Sequence, residues 1–176
     1  MGSDKSLIVY HEKPQCEYLF ELLTAFCSKV FTSCRKDQEV PERFHPLYDH
    51  YDYPGPINGI LSAFHAYPDS SWLIIAVDMP LVDENVLKVL IENRDKKKVA
   101  TCFKHLVEGS FPEPLLTIWE PLAYPLLLSY VNSGKISPRG FLEMADVKSI
   151  PVPDERILLN INFPEDRFLF NNSNEG

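Results

Sequence analysis

Apolar and polar positions alternate between two periods along this chain, and the switches predict its elements. The stretch Trp72–Pro80 is the clearest: Trp-Leu-Ile-Ile-Ala-Val is unbroken and apolar, then ends in Asp78-Met79-Pro80. Too short for a helix and apolar on both faces, it predicts a fully buried strand of a parallel sheet, stopped near Asp78 by Pro80. Before it, Gln15–Phe26 places Tyr18, Leu19, Leu22, Leu23 and Phe26 at helical spacing. Lys29–Cys34 reads as a strand, and Pro41–Pro56 as an irregular, aromatic and acidic connection. Ile57–Tyr67 reads as a helix with Ile60, Leu61 and Phe64 inward.

After the central run, Asp83–Asn93 predicts a helix opened by acids, and Lys97–Phe103 and Pro114–Trp119 predict strands. Leu122–Val131 is an apolar helix closed by Asn132-Ser133-Gly134. Ser137 and Pro138 suit the N-cap and first turn of another helix. Val147–Val152 and Ile157–Ile161 read as short strands, and a last helix begins near Phe163. Strands alternating with helices imply an α/β fold: a Rossmann-like three-layer sandwich around a mostly parallel sheet. With no internal repeat or linker, residues 1–170 read as one domain and 171–176 as a polar tail.

Composition narrows the function by exclusion. Hydrophobic residues at 45% and charged residues at 24% describe an ordinary globular protein, and no apolar run approaches a membrane span. A formal net charge of −8 argues against nucleic acid as a partner. Cys16, Cys27, Cys34 and Cys102 lie far apart, as expected of reduced structural thiols in a cytoplasmic protein rather than a zinc site. An anionic small ligand would therefore need local cations, backbone N–H groups or a metal.

Three strand-end loops offer that chemistry. Gly55-Pro56-Ile57-Asn58-Gly59 presents a helix N-terminus between two glycines, a cradle for an anion or base. Asp78 ends the central strand, where open α/β sheets bind ligands, and carries the hard oxygens that Mg²⁺ prefers. The same aspartate also suits a turn or helix cap. Asn160 and Asn162 flank a later strand end, where Asn equally serves to turn the chain.

Taken together, these segments resemble the molybdenum cofactor guanylyltransferases, nucleotidyltransferases that attach a nucleotide to molybdopterin. The matching residues are Met1-Gly2-Ser3-Asp4-Lys5, Asp52–Gly59, Ala76–Pro80, Glu113-Pro114-Leu115-Leu116 and Asn160–Asp166, in family order across almost the whole chain. The resemblance implies transfer of GMP from GTP to molybdopterin with Mg²⁺ required, and handover of the product to a cofactor-processing or apo-enzyme partner. It assigns Lys5 to the triphosphate, Asp49, Gly55, Pro56 and Gly59 to the nucleotide, and Asp78 to both metal and nucleotide. Asn160 or Asn162 would complete the metal site, and Arg139 would meet the second substrate or serve as a solvated helix-start arginine. Ser33-Cys34-Arg35 stands where the family often carries a nucleoside-contacting Asn.

The family also begins with a buried strand and a Leu-Ala-Gly-Gly loop directly before its Met-Gly-x-Asp-Lys, whereas this sequence opens at that methionine. That strand would lie between Lys29–Cys34 and Trp72–Val77, and its removal would leave two unpaired inner edges; either Met1 is an internal methionine taken as a start, or the protein has more chain, or the sheet closes in another way. A relative using CTP or a sugar phosphate, and a non-catalytic binding or assembly partner, are the alternative readings.

Overall fold

The computed structural model describes residues 13–107 and 109–158. Helix α1 (Gln15–Thr24) leads to β1 (Thr32–Cys34), a 3₁₀ turn (Glu42–Phe44) and β2 (Pro46–Tyr48). Helix α2 (Ile57–Ala66), β3 (Trp72–Ile75) and α3 (Glu84–Glu92) follow, then β4 (Ala100–Lys104) and β5 (Pro112–Trp119). Helices α4 (Ala123–Asn132) and α5 (Pro138–Met144) precede β6 (Lys148–Pro151) and a closing 3₁₀ turn (Glu155–Leu158).

The strands form two sheets. In one, β1 and β2 run parallel; in the other the order is β3-β5-β4-β6. Strand β5 is antiparallel to both β3 and β4, whereas β4 and β6 are parallel. Its reversal follows from chain length: residues 105–111 join β4 to β5 without a helix, and a parallel return needs a longer crossover. The other three strands of that sheet share one direction, so the α/β architecture read from the sequence holds.

Both faces of the larger sheet are covered, which explains the near-continuous burial of β4 and β5. Alternate residues serve different layers. Phe103, Leu116 and Ile118 join Leu19, Met79, Leu87 and Leu90 beneath α1 and α3. Ala100, Cys102 and Trp119 join Ile57, Ile60, Phe64, Leu127 and Phe141 beneath α2, α4 and α5. Each fully buried leucine or phenylalanine in these layers stabilises the fold by about 1.5–3 kcal/mol. Local signals agree with this packing. Asp83 caps α3 by accepting from Val86 N at 2.9 Å, and Ser137 caps α5 by accepting from Gly140 N at 3.1 Å, with Pro138 in the first turn.

Three expectations need correction. β3 is not fully buried: all four of its residues are half-buried, because among the described residues β5 alone flanks it, antiparallel, and its other edge faces a groove. Residues 41–56 are not irregular throughout, since Pro46–Tyr48 pairs with β1. The expected strand from Ile157 is, over its described part, a 3₁₀ turn whose Ile157 N bonds Asp154 O at 3.0 Å. Lys5, Asn160, Asn162, the last helix and the polar tail lie outside the described residues.

Among the described residues no strand pairs with the outer edge of β1 or of β3, and both edges line one groove of about 810 Å³.

Candidate active site

The loop after β2 is fastened to α2 by three side-chain bonds. Asn58, buried in the first turn of α2, donates from Nδ2 to Tyr51 O at 2.7 Å and accepts at Oδ1 from Tyr51 N at 3.2 Å. Ser62, one turn on, accepts from His50 N at 2.8 Å. Asp49 is held from the other side, where its N–H donates to Cys34 O at 2.9 Å. Asn58 was expected in the ligand cradle; its amide is instead committed to building the cradle's wall.

The turn into α2 is shaped by Gly55, whose φ of +77° lies in the left-handed region that L side chains resist. Pro56 stands at the N-cap with no side chain capping the helix, leaving the helix start open to an acceptor from outside. Gly59 is close-packed: a Cβ there would meet Ser33 Oγ at 2.7 Å. Asp49, Gly55, Pro56 and Gly59, four residues read from sequence as nucleotide contacts, therefore line a single groove, together with Ser33 and Arg35. Burial raises the Asp49 carboxyl above its ordinary range, while Arg35 and Lys36 pull it back.

Across that groove, β3 leads to Asp78. The last β3–β5 ladder bond runs from Ala76 N to Leu115 O at 2.8 Å. The chain then turns through Asp78 and Met79, and α1 holds the turn: Gln15 Nε2 donates to Met79 O at 3.4 Å and Tyr18 Oη to Val82 O at 3.2 Å. Met79 is fully buried, which anchors the backbone next to the aspartate.

Beside Asp78 lies Glu113, one of the residues that carry the family resemblance and one to which the resemblance assigns no role. Glu113, at the start of β5, is 7% exposed and accepts at Oε1 from Leu115 N at 2.9 Å. Burial pushes its carboxyl above the ordinary range; Arg139 and His105 act in the opposite sense, and the Asp78 charge adds to the rise. The signal was available: a glutamate wedged between Pro112 and Pro114 in an apolar strand has few reasons to be there. Arg139, exposed near the start of α5, lies 6.0 Å from the Phe111 ring and faces this same corner. His105 contacts Glu155, which also accepts from Leu106 N at 2.5 Å.

Asp78 and Arg139 thus gather around Glu113, while the glycine cradle and Asp49 line the groove whose opposite wall is β3. Among the described residues no three His, Cys, Asp or Glu side chains cluster as a metal site. Cys27, Cys34 and Cys102 offer no nucleophile: burial raises the first two, and pushes Cys102 to about 11.

Comparison with known proteins gives one consistent result. The family model described as "MobA-like NTP transferase domain" matches residues 1–148. A molybdenum cofactor biosynthesis bifunctional protein of Synechocystis sp. is 38% identical over 169 residues, spanning 94% of this chain and 48% of that protein. The chain therefore spans about half the length of that relative. A molybdenum cofactor guanylyltransferase of Pseudomonas fluorescens is 26% identical over 175 residues, covering 93% of this chain and 83% of its own. Among solved structures, molybdopterin-guanine dinucleotide biosynthesis protein A from Archaeoglobus fulgidus superposes with a TM-score of 0.75 at 25% identity, over 98% of this chain and 91% of that one.

Proposed function

This chain belongs to the family of MobA-like NTP transferase domains, and from that we propose that it transfers GMP from GTP to molybdopterin and releases pyrophosphate. The observation that supports this most is the groove. One wall carries an uncapped helix start between Gly55 and Gly59 with Asp49 beside it, and the other wall is β3, the strand that leads to Asp78.

In this reading, the helix start and the glycines let the backbone approach the nucleotide, with Lys5 on the triphosphate. A phosphate oxygen of molybdopterin attacks the α-phosphorus in line as the bond to the bridging oxygen breaks and pyrophosphate departs. Such a reaction needs positioning and charge compensation more than covalent chemistry, in keeping with the raised thiols of Cys27, Cys34 and Cys102. A divalent metal, and Mg²⁺ in particular, fits the donors present: Mg²⁺ takes one or two carboxylates and completes its shell with phosphate oxygens and water. Asp78 would hold it, with Asn160 or Asn162 completing the set, and when bound it neutralises charge developing on the phosphates. Arg139, at the corner beside Glu113, would meet the anionic second substrate. Residues 1–170 act as one domain in this reading, the product passes to a cofactor-processing partner, and the reaction is cytoplasmic. No helix among the described residues is long and apolar enough to cross a membrane.

The test is a transfer assay with labelled GTP and CTP in competition, on the native chain and on Asp78→Ala. GTP-preferring, Mg²⁺-dependent transfer that falls about 10²–10³-fold in a still-folded Asp78→Ala is expected. Unchanged turnover in that variant, or preference for CTP, sinks the assignment.

A further inference from the structure

Strand β5 departs from β4 in one place. Cys102 pairs with Thr117 and Lys104 with Pro112, so two steps along β4 face five along β5. The surplus is a bulge around Glu113 and Pro114, and buried side chains hold it. Thr117 donates from Oγ1 to Glu113 O, and Trp119 donates from Nε1 to Pro114 O at 3.3 Å. Thr117 and Trp119 are both fully buried. Bulges re-aim side chains, and this one fixes how Glu113 is presented.

One oxygen of that carboxyl is unused. Oε1 accepts from Leu115 N; among the described residues Oε2 accepts no hydrogen bond, and it is not sealed from the surface although the residue is only 7% exposed. A buried acceptor without a partner is costly unless something meets it. The β3–β5 register, which pairs Ile75 with Leu116, sets Asp78 opposite Glu113 when carried past the ladder. Phe111 stands at the rim of this corner. It directly precedes β5, is 54% exposed, has the Arg139 guanidinium over its ring at 6.0 Å, and meets no other ring among the described residues. Its loop is braced: Ser110 donates from Oγ to His105 O at 2.7 Å and from N to Val107 O at 3.1 Å. An open aromatic face, an arginine and a half-used buried carboxyl suit a flat ring with N–H donors on its edge and an anionic substituent.

We propose that this corner holds the pterin ring of the second substrate. The ring lies against Phe111, its 2-amino group donates to Glu113 Oε2, and Arg139 meets the attached phosphate. Phe111 and Glu113 thus select the ring, and Arg139 its charge. The identity of the ring rests on the transfer reading above; the preference for an amino-bearing heterocycle does not. Guanine carries the same 2-amino-4-oxopyrimidine edge, but the nucleotide cradle lies at the start of α2, on the wall opposite β3, whereas this corner lies beyond the end of β3.

The experiment is a fluorescence titration of the 176-residue chain, without nucleotide, with free pterin and with lumazine, in which an oxo group replaces the 2-amino group. Pterin should bind saturably and more tightly than lumazine. Glu113→Gln, whose amide can donate to an oxo group, should erase or reverse that preference. Phe111→Ala should weaken both ligands about tenfold, and Phe111→Tyr should restore them. Absence of pterin binding overturns the proposal, whether or not the chain transfers GMP. So does an unchanged pterin-to-lumazine ratio in Glu113→Gln, or unchanged affinity in Phe111→Ala. Displacement of pterin by guanosine would put the nucleotide base in this corner and also overturns it. The expected binding pattern in a chain that transfers no GMP upholds the corner and counts against the transfer reading alone.

Discussion

Asp78 and Glu113 stand two residues beyond the last hydrogen bond of the β3–β5 ladder, the first in the turn after β3 and the second at the start of β5, and the charge of the first raises the proton affinity of the second. Burial is the larger cause of that rise. Folded Glu113 thus holds its proton to higher pH than the unfolded chain does, so stability falls as pH climbs from the ordinary glutamate value through the raised one. Glu113→Gln keeps an acceptor for Leu115 N and carries no charge. Chemical denaturation between mildly acid and neutral pH should show a flatter profile for this variant, and equal or greater stability at pH 7. A profile parallel to the native one would contradict the shifted carboxyl.

Gly55 presents a different kind of constraint. A Cβ there meets nothing within 4 Å, so space is not the obstacle; its φ of +77° is. Gly55→Ala should cost about 1–2 kcal/mol from backbone strain alone, and Gly55→Asn less, because Asn tolerates the left-handed region. Thermal melts rank the three proteins, and an alanine variant as stable as the native chain would argue against this turn geometry.

Asn58 ties Asp49 and its neighbours to α2. Asn58→Ala removes the partners of the half-buried N–H and C=O of Tyr51 and should destabilise by about 1–3 kcal/mol. Asn58→Asp keeps the acceptor but loses the donor to Tyr51 O, and adds a charge to a buried position. Both variants should also weaken nucleotide binding by loosening the loop, which titration calorimetry on folded samples can read.

A clamp closes the opposite end of β3. Arg94 donates from Nε to Glu120 Oε1 at 2.6 Å and from Nη2 to Glu120 Oε2 at 2.8 Å, and Ser71 Oγ also donates to Glu120 at 2.8 Å. Burial works to raise the Glu120 carboxyl, yet these bonds prevail and hold it below its ordinary range. Its stabilisation is therefore complete above the ordinary glutamate value and is lost as pH falls through the lowered one. Arg94→Met leaves Glu120, only 3% exposed, without its counter-charge, and should cost about 3 kcal/mol at neutral pH. That penalty should shrink in acid, where Glu120 takes a proton.

Much of this arrangement was legible from residue order. Pro-Gly-Pro before an apolar helix, Asp after an apolar run, and Ser-Pro at a helix start each act through local backbone chemistry, and those features stand where the pattern put them. Tertiary effects were less visible. The half-exposure of β3 depends on what lies beside it, which its own apolar run cannot encode. The β5 reversal depends on a connection too short for a crossover. Nor does position reveal that Asn58 points back at Tyr51, or that Glu113 lies beside Asp78: both relations join separate elements.

Helix α2 packs against β1, β2, β3 and α4, so one helix touches both sheets. No hydrogen-bond ladder among the described strands joins those sheets, and cooperativity between them must travel through side chains such as Ile60, one of the buried residues of α2 that lines the groove. Mechanically the helix is a hinge pin joining two plates. On the described contacts, the expected result in native-state exchange is a separate opening event at the amides of β1 and β2 ahead of those in β4 and β5.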